Sequence, residues 1–248
     1  MRLSSTKKPF AEFALIVIGV FFALFAENQW QARLDREEGR EYLRRIRTEV
    51  GANQGALEGD LDWAAQACTS AEAFLDFLQN PTLESDATSL LKLAVSAAMH
   101  ARPAFETSTY DEMIASGRLS LINDARLRAR IVASYGTMRM DEVWRPTTQD
   151  PFRLAVLRTL PFDFVEGVLL ECLLTSDGEA VSRELRDCTV EPTRGSPGLW
   201  LSRLTSHQDL IGDLRLRVYG VCRFGHQLEP TIAALDSLST ELDRQLRQ

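Results

Sequence analysis

Lysine is almost missing from this 248-residue chain, occurring only at Lys7, Lys8 and Lys92, so its basic character rests on arginine. Histidine is confined to His100, His207 and His226, and cysteine to Cys68, Cys172, Cys188 and Cys222. Four cysteines without a Cys-x-x-Cys pair are too few for a disulfide-built scaffold and lack the spacing of a paired-cysteine zinc site. No glycine-rich phosphate loop, Gly-x-Ser-x-Gly elbow or His-Glu-x-x-His helix occurs, so the sequence gives no warrant for the chemistries those motifs serve. A net charge of −7 repels nucleic acid and anionic lipid in general and leaves only local basic clusters to act on them. No nucleic-acid partner is expected.

What the chain does have is one long hydrophobic run. Phe13 to Ala26 is unbroken and apolar. Fourteen residues alone suit a core helix or a signal peptide better than a span. With Phe10-Ala11-Glu12 before it and Glu27-Asn28-Gln29-Trp30 after it, the stretch reaches about 30 Å as helix and keeps its polar groups near the ends. The expected organisation is a short basic tail (1–9), a transmembrane anchor in contact with the lipid bilayer (10–30) and an α-helical domain (31–248). A cleavable signal peptide competes, with Lys7 and Lys8 as its basic region, but Leu24 and Phe25 are bulky for a cleavage site and the helical pattern runs through it. Glu12, Gly19, Ala23 and Ala26 fall near one stripe, where a second copy or another membrane protein would pack. The tail carries Arg2, Lys7 and Lys8 without an acid, which leans the domain toward the periplasmic side, while Arg33, Arg36, Arg40, Arg44, Arg45 and Arg47 beyond Trp30 lean the other way.

Helical periodicity continues after the anchor through Trp30, Leu34, Tyr42, Leu43, Ile46, Val50, Leu57 and Leu61, with Gly51, Gly55 and Gly59 marking a bend before Asp60. A second stripe from Leu61 to Leu78 ends at Asn80-Pro81 and predicts a helical hairpin. Ser85–His100 reads as an amphipathic helix. Thr109 to Glu112 has the form of a capping box, with Met113 and Ile114 inward and Gly117 as C-cap. Asn123 or Asp124 caps a helix bearing Leu127, Ile131 and Tyr135, and an apolar region from Phe152 to Leu174 breaks at Pro161. Residues 188–199 read as irregular. The last helical region begins near Trp200 or Ser206, kinks at Pro230, and carries a narrow coiled-coil-like seam of Leu228, Ile232, Leu235, Leu238, Leu242 and Leu246 that suits the long helix after the anchor. The expected fold is all-α: one N-terminal transmembrane helix continuing into a long helix, followed by a helical-bundle domain.

The stretch from Glu12 to Val50 and the segment from Thr107 to Gly136 together resemble an uncharacterised bacterial family of single-pass inner-membrane proteins. Its chains begin with a Glu, an apolar run with one Gly, an Asn-and-Trp exit and a charged helix; here Gln29 separates the Asn from the Trp. The resemblance implies an inner-membrane protein with a helical domain and brings no activity with it.

We assign no catalytic, cofactor-binding or metal-binding residue from the sequence. Cys222 and His226 lie one turn apart and would need His207 or His100 to make a metal site, whereas a buried thiol beside a surface imidazole needs nothing further. Cys172 and Cys188 flank a loop and would meet in a hairpin in an oxidising compartment; four buried free thiols are the alternative. Tyr110, Asp111 and Glu112 near His100 suggest acid–base chemistry less than they suggest a first helical turn. Arg126, Arg128 and Arg130, like Arg215 and Arg217, spread around their helices. The leading expectation is a membrane-anchored interaction or structural protein; the alternatives are a ligand-sensing domain with a pocket between helices, and an enzyme of unrecognised type.

Overall fold

The computed structural model describes residues 7–80, 86–99, 105–144, 149–173, 185, 188–190 and 195–247, without the side chains of 7–14 and 140–144. Among the described residues there are eight α-helices and no strand. Helix α1 spans Lys7–Gln79, a single run of 73 residues and roughly 110 Å. It carries both the apolar run and the first half of the core. Leu15, Phe21 and Phe22 are each more than 70% exposed, and Ile16, Ile18, Leu24 and Phe25 are also uncovered. A core helix would bury one of these faces, and this one buries none. One helix near the N-terminus is thus long and apolar enough to cross a membrane.

Burial begins at Gly39 and becomes regular from Tyr42 onward. The bend expected at Gly51, Gly55 and Gly59 is not found, because α1 is continuous there. Val50, Asn53, Leu57 and Asp60, around and between those glycines, are buried, and the packing they make outweighs a penalty of about 1 kcal/mol per glycine. Asn53 also clamps a distant backbone: its Nδ2 donates to the Glu106 carbonyl and its Oδ1 accepts the Glu106 amide, both at 2.7 Å.

Helix α8 (Leu210–Leu246) is the second axis. It lies antiparallel along α1, with Cys222 bonded to Cys68 and Asp243 paired with Arg47 at 2.9 Å. The expected seam is present: Leu228, Leu235, Leu238 and Leu242 are fully buried, and the helix runs unbroken through Pro230. Gly225 sits against the Ala64 methyl and keeps the axes close.

Two cores are strung along this pair. The core nearer the N-terminal apolar run uses α1 from Tyr42 to Ala67, α3 (Ser108–Ser116), α4 (Ala125–Trp144) and α8 from Val221 to Leu242. The distal core uses Ala71 and Phe74 of α1, α2 (Ala87–Ala98), α5 (Pro151–Thr159), α6 (Phe162–Gly167) with a π-helical turn (Val168–Leu173), α7 (Pro197–Thr205) and the start of α8. Helix α2 folds back on the end of α1, which is the predicted hairpin, and starts at Asp86, whose carboxylate accepts the Ser89 amide. The break at Pro161 stands, and Asp150 caps α5 before Pro151. Helix α7 begins earlier than expected, at Pro197, because proline fits the first turn; a break at Ser206–Asp209, where Asp209 has φ 62°, separates it from α8.

Between the cores lies a polar belt. Gln66, Ser70 and Ser96 hydrogen-bond one another, all buried. Arg217, read in the sequence only as spread around its helix with Arg215, is 1% exposed. Its Nε donates to the Ala97 carbonyl at 2.7 Å and a terminal nitrogen donates to the Met99 carbonyl, so it closes the C-terminus of α2. Asp150 lies 3.7 Å from the same guanidinium, and the Trp63 ring stacks near it. Burial lowers the Arg217 pKa to about 10, which leaves the group charged at neutral pH.

Candidate functional site beside the apolar end of α1

The capping box proposed for Thr109–Glu112 does not form. Thr109 is buried inside α3, and Thr107 is the N-cap without a side-chain cap bond. The N-terminus of α3 is instead satisfied from α1: the Glu49 carboxylate accepts the Thr109 amide at 2.7 Å and the Tyr110 amide at 3.4 Å. A carboxylate at a helix N-terminus meets both the unpaired amides and the positive end of the dipole. Tyr135 of α4 donates its hydroxyl to the same carboxylate. Burial and the Glu49 contact push the Tyr135 phenol far above its ordinary range, so it stays a donor. Its ring stacks on Tyr110 with centroids 4.2 Å apart, and Glu49 thereby joins α1, α3 and α4.

Freed from capping, Glu112 turns to α1. It accepts from the Tyr42 hydroxyl at 2.6 Å and from Arg45 at 2.6 Å. Arg118, in the 3-10 turn Arg118–Leu121 that follows α3, donates to the Tyr42 oxygen at 3.0 Å and pairs with Glu38 at 3.0 Å. Arg45 and then Tyr42 hold the Glu112 carboxyl below its usual range. Its stabilising share is complete above the unfolded carboxylate range and fades as pH falls through the depressed value. Asp111 is engaged by Arg139 at 2.6 Å. The carboxylates of this first turn are therefore committed to structure, and His100 lies outside the described residues. Met113 is buried as expected, whereas Ile114 is half exposed; Gly117 takes the left-handed C-cap, φ 71°.

The turn that follows closes an open crease of about 400 Å³ against α1, beside the end of α8. One wall is Arg33, Arg36, Glu37 and Arg40 of α1, and the other is Leu121, Ile122, Asn123 and Asp124, with Gln245 of α8 at the rim. Gly39 forms the floor because a Cβ there would stand 2.8 Å from the Leu121 carbonyl oxygen. Asp124 is the N-cap that the sequence offered, accepting the Arg126 and Leu127 amides, which hold its carboxyl low. Gly39→Ala is expected to lower stability by about 1–2 kcal/mol, as overpacking against backbone exceeds the helix propensity gained. Gly55→Ala, with nothing within 4 Å of the new methyl, should raise it by under about 1 kcal/mol. Urea midpoints of the two variants check the pair, and equal shifts would remove the steric role of Gly39.

The preferred reading of Cys222 as a buried free thiol beside a surface imidazole is corrected. Cys222 is disulfide-bonded to Cys68, and Cys172 to Cys188, so all four cysteines are paired rather than free. The hairpin pair was visible in the sequence; the 154-residue link between α1 and α8 was not. Glu72 lies within 4.8 Å of the first pair of sulfurs, a grouping that could suit a metal ion, but sulfurs bonded to each other offer no thiolate. His226 and His207 line separate depressions, and no described residues bring them together. Comparison with protein-family models, with curated proteins and with solved structures gives no match.

Proposed function

We propose that this chain is a single-pass bacterial inner-membrane protein whose helical body stands on the periplasmic side and serves as an anchored structural or interaction element. The observation that carries the reading is the unburied apolar length of α1, continuous with the helix that organises both cores. Water would not accept that surface, and none of the described residues covers it. Two disulfides support an oxidising compartment for the body, in the direction of the basic tail's positive-inside preference. On this reading the Gly19 and Ala23 face, where no atom lies within 4 Å of a Cβ at Gly19, is the place for a second membrane helix.

The test is a fusion of a reporter active only outside the cytoplasm to Gln248, with fractionation of the full-length protein. Activity of the fusion and retention of the protein in alkali-washed membranes are expected. Release without detergent, a mature N-terminus after Ala26, or activity only from a cytoplasmic reporter would overturn the proposal.

A further inference from the structure

We infer that the crease between α1 and the Arg118–Leu121 turn seats the phosphodiester of a phospholipid headgroup from the leaflet that the anchor exits, an inference that rests on the anchored reading above. Height is the first argument. At 1.5 Å per residue, Arg33 and Arg36 stand about 5 and 9 Å beyond Trp30, close to the depth of a headgroup layer, and Arg40 about 15 Å. Direction is the second. Side chains on a helix lean toward its N-terminus, so these arginines tilt toward the bilayer, and their stems are long enough to reach further down.

Availability is the third. Arg45, Arg47 and Arg118 are each bound to a carboxylate, whereas Arg33, Arg36 and Arg40 enter no described ion pair. Arg36 spends its Nε on the Ala32 carbonyl and keeps its terminal nitrogens. Guanidinium forks match phosphate oxygens in geometry and are only weakly hydrated. Of the two carboxylates in the crease, Asp124 is committed to capping α4, and Glu37 remains to accept from a headgroup that carries a donor. Phosphatidylglycerol, with one phosphodiester and two hydroxyls, has both features. The floor of the crease is the close backbone contact of Gly39 with Leu121 rather than a side chain that could fold away.

The experiment is native mass spectrometry of the full-length protein in mild detergent, titrated with phosphatidylglycerol. Arg33→Gln/Arg36→Gln/Arg40→Gln is expected to weaken lipid binding at least tenfold. Arg203→Gln/Arg215→Gln/Arg223→Gln, the same charge change on exposed positions of α7 and α8, should bind like the unaltered protein. All six side chains are exposed, so folding survives substitution. Equal binding by both triples and the parent, or equal loss in both triples, would overturn the inference. Displacement of the lipid by millimolar inorganic phosphate would overturn the lipid as the source of the phosphate. A protein that needs no detergent would refute the anchor, whereas an anchored protein indifferent to these arginines would refute the crease alone.

Discussion

Joint replacement of Cys68 and Cys222 by alanine is expected to lower the unfolding free energy by about 4–5 kcal/mol, against roughly 3 kcal/mol for Cys172 and Cys188. The difference follows from the chain each bond closes, 154 residues in one case and 16 in the other. A longer closed loop removes more freedom from the unfolded ensemble. The long-range bond also joins the two axial helices where one core gives way to the other, so its loss lets the polar belt take up water. Urea denaturation of the full-length protein in detergent, followed by far-ultraviolet circular dichroism, measures both variants. A larger loss for the 16-residue pair would contradict the entropic account.

Glu49→Ala should be nearly as damaging, at about 3 kcal/mol or more. It strips the first turn of α3 of its acceptor and leaves the Tyr135 hydroxyl buried without one, and removal of one member of a buried charged network typically has this size. Glu49→Gln retains one acceptor oxygen and should fall between the two, since its amide brings two donors into a site built from donors. Thermal unfolding then shows drops of roughly 6–12 °C for alanine, by the scaling for chains of this length. A change below about 1 kcal/mol for Glu49→Ala would mean that α3 is capped by something other than α1.

Glu49 also shows where sequence reading stops. Gly117, Asp124, the break at Pro161 and the leucine seam from Leu228 to Leu242 were legible because each rests on residues within a few positions of one another. The all-α fold followed from such local signals. Thr109 and Glu112 had the right spacing for a cap, but spacing does not reveal that a carboxylate 60 residues upstream reaches the same amides first. Nothing near Arg217 in the sequence marks it as the residue that the α2 carbonyls engage. Gly39 carries no local signal for its close contact with the turn beginning at Arg118. Each miss concerns a partner far away in the chain, which local periodicity does not encode.

The crease was less visible still. Arg33, Arg36 and Arg40 read as part of a solvated helix with interleaved acids, and that remains their local description. What sets them apart from Arg45, Arg47 and Arg118 is that no carboxylate among the described residues pairs with them, a property of the fold alone.

The antiparallel pairing of α1 and α8 has a consequence for distance. From Trp30 to Gln79 the helix advances about 74 Å, and α8 (Leu210–Leu246) runs back along it for roughly 54 Å. A lone helix of this extent would sway; two crosslinked by sulfur at Cys68–Cys222 and by charge at Arg47–Asp243 resist bending. The molecule is then a ruler. On the anchored reading proposed above, a partner at the tip near Gln79 would sit at a spacing from the lipid that is counted out in residues, and a deletion in one rod alone would shear the pair out of register rather than shorten it.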